Sequence, residues 1–284
     1  MRQMRVVQDA GLLARLRARR QAEGAAAGRI VAIHGARAGA GASTLAASLA
    51  LLWARVAGPV LLLDLALGGA DQDLFWQVTP QHRLDEVLSG AVPVSEAWTG
   101  LPGGVRLMLG MREPDRGLEP DPHAIERLLD WLASRHPVVV VDTSAGTCEV
   151  NRTILARAER VLVPVPAEMG HLRSARSLPA RWAARGLASD RFSFLLFRRP
   201  AGPERELAAR ILDRPLDGVF PWLPDAAGEA LERGEPLIRT RSGRSYMAAL
   251  EAMAGQLWPE SGLRDGERRG LSWWSAIRSG GLRS

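Results

Sequence analysis

Six short apolar runs recur along the chain, at residues 29–34 (RIVAIH), 59–64 (PVLLLD), 105–109 (VRLML), 137–142 (PVVVVD), 160–165 (RVLVPV) and 192–197 (FSFLLF). Their near-continuous hydrophobicity is that of strands buried on both faces, as in a parallel sheet. Between them, residues 43–57, 123–135, 171–186 and 204–212 carry apolar side chains at helical spacing, and 244–258 reads as a closing helix. In 123–135, Ile125, Leu128, Leu129 and Leu132 fall on one face. The alternation predicts an α/β fold, a doubly wound and mostly parallel sheet flanked by helices.

The two ends depart from this pattern. Residues 1–28 place Val6, Ala10, Leu13 and Leu16 on one side among arginines, so an amphipathic segment and linker are expected ahead of a domain spanning 29–258. Residues 259–284 are rich in Gly, Ser and Arg and read as a flexible basic tail. Its apolar cluster, Trp273, Trp274 and Ile277, suits contact with a membrane surface or a partner.

Composition narrows the function classes. At 284 residues and 46% hydrophobic content the chain can bury a large core. One cysteine, Cys148, excludes a disulfide framework and a cysteine-based metal site. No run of about eighteen apolar residues predicts a transmembrane helix, and the first residues lack the apolar core of a secretory signal. A cytoplasmic setting is the expectation. All 37 basic residues are arginine, so no lysine is available to any active site. The net charge of +6 is compatible with acidic lipid or phosphate-rich partners.

The candidate chemistry lies in residues 31–50, VAIHGARAGAGASTLAASLA. An apolar strand leads into a loop with Gly35, Gly39 and Gly41, then Ser43 and Thr44 open a helix. Glycines let successive backbone N–H groups turn toward phosphate oxygens. The helix N-terminus adds its positive dipole end, and a hydroxyl can ligate magnesium. Ala42 stands where a phosphate-gripping lysine belongs. The residues leave three readings open: a working nucleotide site, a weakened one, or its remains.

GARAGAGAST resembles the deviant Walker A loop of the MinD/ParA superfamily, and more nearly the GARGGVGAST form of the CpaE/TadZ pilus-assembly branch. Other stretches match in order. VLLLDLALGGADQDLFW resembles the A′ motif, and HRLDEVLSGAVPVSEAWTGLPGGVRLML resembles the FlhG/FleN flagellar branch. VVVVDTSAG resembles the Walker B strand, and FPWLPDAAGEALERGEPLIRTRSGRSYMAALEAMAGQL the C-terminal pattern. The resemblance implies ATP or ADP with magnesium, held by Gly35, Arg37, Gly39, Gly41, Ala42, Ser43, Thr44, Asp64 and Asp142, with Ser43 and Asp142 on the metal.

Several positions depart from the family pattern. Arg37 replaces the signature lysine that reaches across a dimer interface, and Ala42 the Walker lysine. Ala66 replaces the A′ aspartate that positions water, leaving Asp71 and Asp73 as the nearest substitutes. Phe197 or Arg198 stands where an asparagine often reads adenine. Phosphoryl transfer depends on such groups, a single cation being worth about 10³–10⁵ in rate. Nucleotide binding with little or no hydrolysis is therefore expected, although an active ATPase using Arg37 is the alternative.

The resemblance further implies a spatial regulator or scaffold for an envelope machine. That machine would be a Flp/type IV pilus, or in a second reading flagellar-number or cellulose-secretion control. A homodimer, or a heterodimer with a paralogue, would be peripheral at the membrane or the cell pole. Nonspecific DNA binding through Arg239, Arg241 and Arg244 is a third class, and would weaken steeply with salt. The five histidines show no metal-ligand spacing, and His34 reads as structural. Cys148 lacks a nearby base for a nucleophilic role, and Trp53, Trp131 and Trp182 read as core or interface.

Overall fold

A computed structural model describes residues 28–66, 71–111 and 120–257. The expected N-terminal segment, and the tail with Trp273, Trp274 and Ile277, lie outside the described residues. The strands are β1 (Arg29–His34), β2 (Val60–Leu65), β3 (Thr99–Gly100), β4 (Val105–Met108), β5 (Val138–Thr143), β6 (Arg160–Pro166), β7 (Phe192–Arg198) and β8 (Gly218–Pro221). They form one sheet in the order β3-β4-β2-β5-β1-β6-β7-β8. All neighbours run parallel except β3, which lies antiparallel to β4.

The helices are α1 (Ala42–Ala57), α2 (Gln72–Trp76), α3 (Leu84–Leu88), α4 (Pro122–Ala133), α5 (Glu149–Arg157), α6 (Met169–Ala183), α7 (Arg205–Leu212), α8 (Pro224–Glu232) and α9 (Arg244–Leu257). One face of the sheet packs against α1 and α9 through Leu45, Leu49, Trp53, Leu62, Val140 and Leu250. The other packs against α4, α5 and α6 through Ile125, Leu129, Val139, Ile154 and Trp182. Burial on both faces explains the continuous apolar runs: every residue of β2 and β5 is buried.

The six expected strands and five expected helices are all present. Four short helices and the two edge strands are additions. β8 is four residues bounded by Gly218 and Pro221, too short for its periodicity to register. In α5 the buried Asn151 and Thr153 interrupt the apolar spacing that would mark a helix. Cys148 caps that helix, its Sγ accepting from Asn151 N at 3.4 Å.

The first described residue is tightly seated. Gly28 N donates to Ala133 O at 2.9 Å, and a Cβ on Gly28 would lie 1.9 Å from His136 O. Gly28→Ala is expected to lower stability by about 1–3 kcal/mol through overpacking against backbone. Thermal unfolding checks this, and an unchanged midpoint would contradict the close approach.

Candidate functional site

In this strand order, β1 is where the winding reverses, its neighbours being β5 on one side and β6 on the other. Open α/β sheets leave a crevice beyond the carboxyl ends of strands at such a point. The loop after β1 occupies it. Gly39 and Gly41 have φ of 74° and 85°, left-handed values that glycine adopts without strain. A Cβ at either would meet nothing within 4 Å, so their outer surface is open. Gly41 serves as N-cap of α1 and no side chain caps the helix, which leaves its first-turn N–H groups facing the loop. Gly35 permits a tight turn, since a Cβ there would lie 2.9 Å from Arg37 O. The arrangement is a cradle for an anion, built from backbone.

Beside the cradle sit two carboxylates. Asp64 on β2 and Asp142 on β5 are register partners, so their side chains share a face, and both are buried. Asp64 accepts from Ala66 N and Gln72 N, both at 3.1 Å. Burial raises its pKa well above the ordinary range, and the Asp142 charge raises it further. Asp142 is pushed up to about 6, chiefly by burial, with hydrogen bonds from Gln72 and Ser43 opposing and the Asp71 charge adding.

Gln72, at the start of α2, is fully buried. Its Nε2 donates to Asp142 Oδ2 at 2.9 Å and to Ser43 O at 3.0 Å. Sequence reasoning passed over this residue because an isolated Gln in GGADQD reads as loop. It also passed over Asn151, whose Nδ2 donates to Ser144 O and Gly146 O at 3.0 and 3.1 Å. Asn151 thereby fixes the loop that follows Asp142. Of the two proposed acid substitutes, Asp73 is paired with Arg83 at 2.9 Å. Asp71 is exposed at the start of α2 and acts on both buried carboxylates through its charge.

His34, at the end of β1, is buried and structural. Thr143 Oγ1 donates to Ile33 O at 2.9 Å, so the 2.9 Å contact between His34 Nδ1 and that oxygen is a bond donated by the ring. Its Nε2 has no partner among the described residues, and the ring stands edge-on to Trp182 with centroids 5.6 Å apart. Burial, and secondarily the Arg181 charge, lower its pKa to about 4. Arg37 is exposed and lies toward the start of α6, where a methyl on Gly170 would come within 2.5 Å of its Nη1. His171 in the same turn feels the Arg37 charge.

On the opposite side of the cradle from the carboxylates, an apolar slot of about 80 Å³ is lined by Gly41, Thr44, Phe197, Trp222, Leu223 and Tyr246. A wider cleft of about 480 Å³, with Arg198, Arg199 and Trp222 in its wall, shares the Pro221–Trp222 lining. Phe197 is buried and stacked on Phe220 at 5.0 Å, whereas Arg198 is exposed. The Arg199 guanidinium lies 5.5 Å from the Trp222 ring centre and pairs with Glu168. Arg241 and Arg244 are exposed and Arg239 is half-buried, near Arg55.

The residues fit a nucleotide: an uncapped helix start and open glycines for phosphate, and an apolar slot beside them for a planar base. Asp142 Oδ2 accepts from the Gln72 amide nitrogen, while its Oδ1 is buried without a hydrogen-bond partner among the described residues. With the Ser43 side chain bonded to Asp142, these two residues are the ones that would hold a magnesium ion, which takes oxygen ligands.

No protein-family model matches the chain. The antiactivator FleN of Pseudomonas aeruginosa is 27% identical over 247 residues, covering 81% of this chain and 87% of that protein. Among solved structures, the septum site-determining protein MinD from Pyrococcus horikoshii, complexed with Mg-ADP, superposes with a TM-score of 0.72 at 21% identity. That match covers 83% of this chain and 98% of that one. A ParA family ATPase from Chlorobium tepidum gives 0.72 at 19% identity, covering 80% and 98%. The chain thus has the fold of MinD and ParA proteins, and its sequence is similar to that of FleN.

Proposed function

We propose that the chain is a spatial regulator or scaffold of the MinD/ParA type that holds ATP or ADP and turns it over slowly or not at all. The observation that carries this reading is the asymmetry of the site. The backbone cradle between buried carboxylates and apolar slot is complete, while Ala42 and Ala66 stand where catalytic side chains belong. Binding can draw on backbone N–H groups and the helix dipole. Catalysis of phosphoryl transfer needs placed charge, and the cradle's own side chains supply none apart from Arg37. Arg37 lies toward Gly170.

The proposed role is placement or assembly of a bacterial envelope machine of the Flp/type IV pilus kind. The likeness to FleN favours flagellar-number control as the second reading. Counting pili and flagella in cells lacking the chain separates the two.

Calorimetric titration of the nucleotide-stripped protein with ATP and with ADP, followed by product analysis, tests the biochemical reading. Saturable binding without ADP formation is expected. Steady turnover would overturn the slow-hydrolysis part, and absence of heat up to millimolar nucleotide would overturn nucleotide binding altogether.

A further inference from the structure

The cleft of about 480 Å³ carries two opposite charges that nothing engages. Arg198, at the end of β7, and Glu204, the residue before α7, both line it. Neither side chain has an ion pair or a hydrogen bond among the described residues, so the two are not paired with each other. Glu204 does not cap its own helix either. The neighbouring cation is committed, since Arg199 pairs with Glu168 and lies over the Trp222 ring. The frame around the two free charges is fixed. Trp222 N donates to Arg198 O at 3.0 Å, which ties the ends of β7 and β8 together, and Phe197 stands edge-on to the Trp222 ring.

A guanidinium only donates and a carboxylate only accepts. A ligand that satisfies both must offer acceptors to one and donors to the other. The cleft has the volume of a small-molecule site, and it shares Pro221 and Trp222 with the apolar slot that reaches Gly41 and Thr44 at the cradle. A planar base whose faces lie along the slot carries its polar edge past Trp222 into the cleft. Guanine has the matching edge. Its O6 and N7 are adjacent acceptors that suit the arginine fork, and its N1–H and 2-amino group donate to a carboxylate. Adenine turns an amino donor toward the arginine and offers the carboxylate no N–H at positions 1 and 2. A free amino acid also carries both charges, but it has no plane for the slot and no phosphate for the cradle.

We propose that Arg198 and Glu204 read the base, and that the site prefers guanine nucleotides to adenine nucleotides. This inference rests on the nucleotide reading above and adds the identity of the base. Both side chains are exposed, so their bonds compete with water, and a preference of about tenfold is expected, at the low end of bidentate base reading.

The test is calorimetric titration of the full, nucleotide-stripped chain with GDP and with ADP, magnesium present in both. GDP is expected to bind about tenfold more tightly than ADP. Arg198→Ala and Glu204→Ala should each remove most of that advantage while changing ADP affinity by less than about threefold. ADP binding as tightly as GDP would overturn the inference and leave the nucleotide reading standing. A guanine preference that survives both substitutions would overturn the assignment of the two residues. If neither nucleotide binds up to millimolar concentration, the nucleotide reading fails and this inference fails with it. Should either variant not fold, the comparison of GDP with ADP on the wild type still decides.

Discussion

Asp142→Asn is expected to unfold at a higher temperature than the wild type at pH 7. A buried carboxyl whose pKa rises from 3.8 to about 6 binds its proton more tightly in the folded chain than in the unfolded one. Its contribution is therefore most favourable below the unfolded value and is lost as pH rises through the folded one. At neutral pH the charged Asp142 costs about 2–3 kcal/mol at 1.36 kcal/mol per unit. Asparagine keeps an oxygen for Gln72 Nε2 and carries no charge, and it also relieves Asp64, whose pKa Asp142 helps to raise. Denaturant titrations at pH 7 should show the gain, and the difference from wild type should shrink on going from pH 6 to pH 4. A variant less stable than wild type at pH 7 would show that the carboxylate is better compensated than its surroundings indicate.

The second large effect has the opposite sign. His34 is held neutral, with its pKa lowered from 6.5 to about 4. The unfolded chain therefore takes up a proton that the folded chain refuses. That contribution to stability is present above pH 6.5 and is lost as pH falls through about 4, amounting to about 3 kcal/mol. Between pH 4 and pH 6 the buried carboxyls of Asp142 and Asp64 favour the acid side and His34 opposes them. Relative to wild type, His34→Gln should gain more stability on acidification and Asp142→Asn less. Parallel profiles for all three chains would mean that neither group titrates as its burial dictates.

Much of this protein was legible from its apolar runs, because strands covered on both faces write continuous hydrophobic stretches into the chain. Asp64 and Asp142 were visible as strand-end carboxylates, and the glycines of the loop as a turn into a helix. Gln72 was not, since its burial and its three partners come from β2, β5 and α1 rather than from its own neighbours. Asn151 and Cys148 escaped for a related reason: a helix whose buried face carries Asn and Thr has no apolar period to find. β8 and its Pro221–Trp222 turn, which wall the apolar slot, were too short to register as an element. Chemistry built from polar groups in contact across the fold leaves little trace in local pattern.

The sheet ends abruptly on both sides. One margin is a two-residue strand running against its neighbour, and the other is four residues long and closes on a proline. Neither offers the length of unpaired backbone on which a further strand could be laid. Edge-to-edge pairing between the sheets of two copies of this chain is therefore disfavoured.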